Sequence, residues 1–122
     1  MDSQNIMVVY SWTAKTGKSE SLKAIYADVE RSMKETEPGA LNVQCYFDED
    51  QEKLIVMDLF ENAGALGQHL GTTAAAHFPS LLEIAVPGAF LFCGVVPSEL
   101  QQAPLRMGLD ATFAPNIFGF QR

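Results

Sequence analysis

Apolar side chains along this chain recur with two different periods. Residues 6–14 are rich in β-branched and aromatic side chains and predict a strand. Thr16-Gly17 interrupts the run. Beyond it, Leu22, Ile25, Tyr26, Val29 and Met33 recur at three- and four-residue spacing, the stripe of an amphipathic helix. Glu20 falls in its first turn, where a carboxylate suits the helix dipole, and Glu37-Pro38-Gly39 stops it. Over residues 41–47 the period becomes two. Leu41, Val43, Cys45 and Phe47 share one face, and Asn42, Gln44, Tyr46 and Asp48 the other. Asp48-Glu49-Asp50-Gln51 reads as a turn into a third strand over residues 53–61, so the two strands predict a hairpin. Both faces of the third strand are mostly apolar, which calls for cover on both sides.

Asn62 is a good N-cap for a second helix lined by Leu66, His69, Leu70 and Thr73. Pro79 suits the first turn of a further short helix carrying Phe78, Leu81, Leu82 and Ala85, and residues 89–96 predict a fourth strand. The order β-α-β-β-α-β predicts an α+β fold of ferredoxin-like topology over residues 1–97: an antiparallel four-stranded sheet with helices on one face. Alternate strand residues point to opposite sides, so Met7, Val9, Met57 and Leu59 cannot all meet the helices. A second copy is the simplest cover, giving a homodimer through sheet-on-sheet packing, a barrel made by two chains. Residues 98–122 form a C-terminal extension. Its segment 112–120 is too apolar for a free tail, and is expected to pack on the body or on the partner subunit.

The bulk numbers narrow the function. A chain of 122 residues, 48% hydrophobic and 19% charged, builds one packed domain. A net charge of −7 argues against nucleic-acid partners and against docking on anionic membranes. The longest apolar run, residues 85–97, is broken by Pro87, Gly88 and Gly94 and is too short to span a bilayer. The N-terminus lacks the pattern of a secretory signal, so a cytoplasmic location is expected. Cys45 and Cys93 lie in apolar runs without zinc-ligand spacing and are expected to be buried, reduced thiols. Two histidines make no convincing metal site, Thr16-Gly17-Lys18-Ser19 lacks the full phosphate-loop pattern, and no dinucleotide fingerprint is present. Neither a metal nor any other cofactor is expected.

Six residues are candidates for chemistry. His69 falls on the buried side of the second helix, where an imidazole can exchange a proton near pH 7; the alternative is a core histidine held by a carbonyl or by Asp58. Asp58 shares a strand face with Leu54, Val56 and Phe60, where a carboxylate is costly unless hydrogen-bonded. It could orient His69, bind a substrate hydroxyl, or serve as a structural partner. Tyr10 and Trp12 share a face of the first strand and, with Phe60, form either the wall of an aromatic pocket or plain core. His77 reads as a surface or capping residue at a helix start, or as a second proton-transfer group that binds substrate. Asn42, Gln44 and Tyr46 make a polar face that meets either solvent or the inter-subunit interior.

The segment Asp58-Leu59-Phe60-Glu61-Asn62, then Ala65-Leu66 and His69-Leu70, resembles the antibiotic biosynthesis monooxygenase family of dimeric α+β barrels. That family shows an acid, a spacer, an aromatic, a polar turn, an Ala-hydrophobic pair, and a His eleven residues after the acid, as His69 stands to Asp58. Glu37-Pro38-Gly39 and the Gly-containing turn Thr16-Gly17-Lys18 also fit, and the likeness covers about residues 5–97. Asp58 stands where the family commonly has Glu, and Phe60 where it has Trp or Tyr. The resemblance implies a cofactor-independent monooxygenase that binds a small apolar, aromatic or quinol compound between helices and sheet. It makes His69 the base, Asp58 its orienter, and Tyr10, Trp12 and Phe60 the wall. The same fold also hosts isomerases, haem-degrading enzymes and stress-response proteins that only bind small ligands, and a structural or assembly domain whose tail docks on another protein is a third reading.

Overall fold

A computed structural model describes residues 2–122. The first strand, β1 (Ile6–Ala14), alternates buried and half-buried residues along its whole length, so Ile6, Val8, Tyr10, Trp12 and Ala14 face the interior. Helix α1 (Ser19–Thr36) buries Leu22, Tyr26, Val29 and Met33, the stripe expected from the sequence. Strands β2 (Ala40–Asp48) and β3 (Lys53–Phe60) form the hairpin, and β1 lies antiparallel against β3.

The second helical region differs from the expectation of two separate helices. Helix α2 (Ala63–His69), capped by the Asn62 side chain accepting from the Ala65 amide, runs on through a π turn (Leu70–Ala74) into α3 (Ala75–Ile84). Pro79 lies inside α3 and does not open it. Residues eight apart on an ideal helix are about 80° apart around the axis, and the extra residue of a π turn takes up about that angle. His77 therefore returns to the side of His69, inside the fold and not at a surface helix start. The Thr72 hydroxyl, donating to the Gln68 carbonyl at 2.6 Å, supports the widened turn.

The fourth strand is two pieces, β4 (Ala85–Pro87) and β5 (Phe90–Cys93), both antiparallel to β1. Pro87 cannot donate to the ladder, and Gly88 lies so close to β1 that a Cβ there would stand 2.3 Å from Ser11 Oγ. Helix α4 (Ser98–Arg106) follows, and β6 (Ala111–Ala114) adds parallel to β5, which makes the sheet mixed, in the order β2-β3-β1-β5-β6. Residues 98–114 thus pack on the body, with Pro104 and Leu109 buried and Phe113 stacked on Phe92 at 5.0 Å. Ile117, Phe118 and Phe120 stay more than 80% exposed.

The inward face of β2 is less buried than its alternation suggested. A bulge between Ala40 and Asn42 turns Leu41 outward, and β2 is an edge strand, so Cys45 is exposed; Cys93, paired with Met7 on the outer face of β5, is only half-buried. Both are free thiols. Among the described residues, no helix is long and apolar enough to cross a membrane.

Candidate functional site

A cavity of about 50 Å³ lies between the inner sheet face and the helices, and Tyr10, Trp12, Asp58, Phe60, His69 and His77 all line it. β1 and β3 supply the first four from inward positions. α2 and α3 supply the two histidines from opposite sides of the π turn. The rest of the wall is aliphatic or aromatic, including Val8, Leu66, Leu81 and Phe92.

His69 is buried, and its Nδ1 lies 3.2 Å from Glu37 Oε2. A carboxylate only accepts, so Nδ1–H donates to it and the neutral ring keeps a lone pair at Nε2. Glu37 is only 2% exposed. Burial acts to raise its pKa, but the His69 hydrogen bond and the nearby Thr73 hydroxyl outweigh that and hold the carboxyl below the usual range. Glu37 is therefore a charged partner of His69, where the resemblance had implied Asp58. Its placement depends on Gly39, where a Cβ would stand only 2.6 Å from Ala65 Cβ. A larger residue there would force α2 or the turn before β2 to shift.

Asp58 is engaged elsewhere. Its Oδ2 accepts from the Tyr10 hydroxyl at 3.0 Å, and the Tyr10 oxygen accepts from the Tyr26 hydroxyl at 3.2 Å. Asp58 Oδ1 is buried without a partner. Burial pushes this carboxyl up to about 6; His69 when protonated and the Tyr10 hydroxyl oppose the shift, and Glu37 adds to it. Burial likewise raises Tyr10 well above its ordinary value, with Asp58 adding, and it raises Tyr26. The Trp12 indole N–H lies near the Tyr26 hydroxyl without forming a hydrogen bond of good geometry. It is a buried donor with no partner. Phe60 packs on His69 with ring centroids 5.2 Å apart, and Tyr10 stacks on Phe90 at 4.4 Å. His77 Nδ1–H donates to the Thr73 carbonyl at 2.8 Å, which fixes that ring as well. Asn42 and Gln44 bond to each other on the exposed face of β2, away from the cavity.

Sequence reasoning missed Glu37 and Tyr26. Glu37 read as punctuation at a helix stop. The signal was its position: an acid at a helix C-terminus opposes the dipole, so it needs a compensating partner. Tyr26 was absorbed into an apolar stripe, although a buried tyrosine hydroxyl seeks a bond. Among the described residues, no three of His, Cys, Asp and Glu gather to hold a metal ion.

The fold and the sequence both have known relatives. No curated protein matches the chain. Among solved structures, MupZ from Pseudomonas fluorescens superimposes with a TM-score of 0.79 at 19% identity, over 98% of this chain and 95% of that one. SnoaB from Streptomyces nogalater, a cofactor-independent oxygenase, gives 0.65 at 11% identity over 78% and 96%. Rv0793 from Mycobacterium tuberculosis gives 0.66 at 13% over 77% and 97%. At these identities the likeness shows the fold, and MupZ shares it through α4 and β6. Residues 5–79, more than half the chain, match the family described as antibiotic biosynthesis monooxygenase. On that match, with the ferredoxin-like α+β fold around it, this chain belongs to the antibiotic biosynthesis monooxygenase family.

Proposed function

We propose that the chain is an enzyme that oxygenates a small phenol or quinol without a cofactor. One observation carries the reading: a buried Glu37–His69 pair in the wall of a mostly apolar cavity that also holds Asp58. His69 Nε2 takes a hydroxyl proton, and Glu37 stabilises the imidazolium that forms. The anion left behind is electron-rich and passes an electron to O₂. The balance is one quinol and one O₂ to one hydroxyquinone and one water. Tyr10, Trp12 and Phe60 supply the apolar wall, whose burial keeps water from the reacting atoms. SnoaB supports this reading as a cofactor-independent oxygenase of the same fold. O₂ uptake with 1,4-dihydroxynaphthalene and related quinols should exceed the uncatalysed rate and yield the hydroxyquinone. No excess rate across the panel would overturn the assignment.

A second reading is favoured by Asp58, held near 6 in the cavity wall with the base. A protonatable carboxyl and an imidazole in one cavity wall can serve as an acid–base pair, as a redox-neutral isomerisation or addition needs. Turnover that persists without O₂ selects this reading over the first.

We also propose that the enzyme works as a homodimer closed through the outer sheet face. Met7, Val9, Met57 and Leu59 alternate away from the helices there, and Ile55 and Leu91 are 38% and 40% exposed. Facing sheets of two copies would cover them. Sedimentation at micromolar concentration should give twice 13.3 kDa, and Met57→Lys should give monomers. A stable wild-type monomer would refute the arrangement.

A further inference from the structure

The cavity beside His69 is too small for a whole aromatic ligand, because a dry cavity that holds benzene measures about 150 Å³ and this one only about 50 Å³. It does not end there. Leu70, Phe78 and Met107 line it from one side, and the same three line an outer groove of about 360 Å³ between α3 and α4. All three are half-buried. They form a thin partition between an inner polar end and an outer apolar groove. Methionine, unbranched and with three rotatable bonds, is the side chain best able to swing aside.

The inner end has its own unmet chemistry. Asp58 Oδ1 is a buried acceptor and Trp12 Nε1–H a buried donor, both unpartnered in the wall of the same small cavity. A buried polar atom left unpaired costs roughly 1–3 kcal/mol. A neutral hydroxyl can satisfy the Asp58 oxygen by giving its proton to the carboxylate. A ligand carboxylate cannot, because it has no proton to give and would face Asp58.

We infer that the ligand is an elongated, mainly apolar molecule ending in a neutral hydroxyl, which donates to Asp58 Oδ1 while the body passes Leu70, Phe78 and Met107 into the groove between α3 and α4. The inference rests on the reading of this cavity as the ligand site, and it adds α4, which lies outside the matched family segment, as the wall that selects ligand length.

Trp12 is the only tryptophan, so its fluorescence reports binding to the full-length protein. Phenol, 4-butylphenol, 4-hexylphenol, butylbenzene and 4-butylbenzoate are suitable probes at pH 8. Affinity should rise at least 100-fold from phenol to 4-hexylphenol, 4-butylphenol should exceed butylbenzene at least tenfold, and 4-butylbenzoate should not bind. Met107→Glu should abolish the gain with chain length. Ala103→Glu, on the groove side of α4 and away from the inner cavity, should do the same should Met107→Glu fail to fold. Asp58→Leu should abolish the preference for the hydroxyl and keep the gain with length. Equal affinity for 4-butylphenol and butylbenzene, or a length dependence that survives the groove substitution, would overturn the inference. These are binding measurements. If they hold while quinols are not oxygenated, the oxygenase reading fails and the ligand geometry stands.

Discussion

His69→Ala is expected to reduce turnover at least about 100-fold, the lower end of what a positioned base contributes, and to weaken the fold as well. The second effect comes from Glu37, which loses its partner while only 2% exposed. A buried polar group stranded in this way costs about 1–3 kcal/mol. The two effects separate in the double variant. Adding Glu37→Gln to His69→Ala removes the stranded charge and should recover most of the stability but none of the turnover. Glu37→Gln alone should lower kcat with little change in KM and shift its pH profile, because Glu37 acts through His69 and not on the ligand. Thermal melts and initial rates on the four proteins check this. Full turnover in His69→Ala would remove the base from the mechanism.

Asp58→Asn is expected to work the other way, making the protein more stable and less active. The folded state raises the Asp58 carboxyl from 3.8 to about 6, so the folded protein holds that proton more tightly than the unfolded chain does. The favourable contribution is complete below about pH 4 and is lost as pH rises through about 6. By pH 8 the wild type carries the ionised carboxylate in a desolvated site at a cost of up to about 3 kcal/mol, taking 1.36 kcal/mol per unit. Asparagine carries no such charge and can still accept from Tyr10. The variant should therefore melt several degrees higher than wild type at pH 8, with the gap closing near pH 4. Turnover should fall, because the group able to donate or hold a proton in that part of the cavity is gone. An equal melting temperature at pH 8 would mean that Asp58 is not desolvated.

The inward faces of β1 and β3 were legible because a strand alternates strictly. Leu54, Val56, Asp58 and Phe60 had to share a face, and they do, with Tyr10 and Trp12 opposite the helices on β1. The stripe of α1 was equally plain. The split of the fourth strand was written in Pro87-Gly88 but read as an interruption, since nothing local says that Gly88 must lie against Ser11. The π turn left no pattern, because Gly71-Thr72-Thr73 has weak helix propensity and only packing on both sides keeps it helical. That one turn decides whether His77 faces solvent or the cavity.

By itself, then, the sequence determined which faces are apolar, the order of elements, the family resemblance and the set of side chains able to do chemistry. All of these follow from local periodicity and residue type. Only the tertiary structure decided who partners whom. His69 took Glu37, thirty-two residues away in the chain, and Asp58 was left to Tyr10 and the cavity. Partner choice depends on a few ångströms of approach between elements distant in sequence, here set by the absent side chain of Gly39 against Ala65, and no periodicity along the chain encodes that distance.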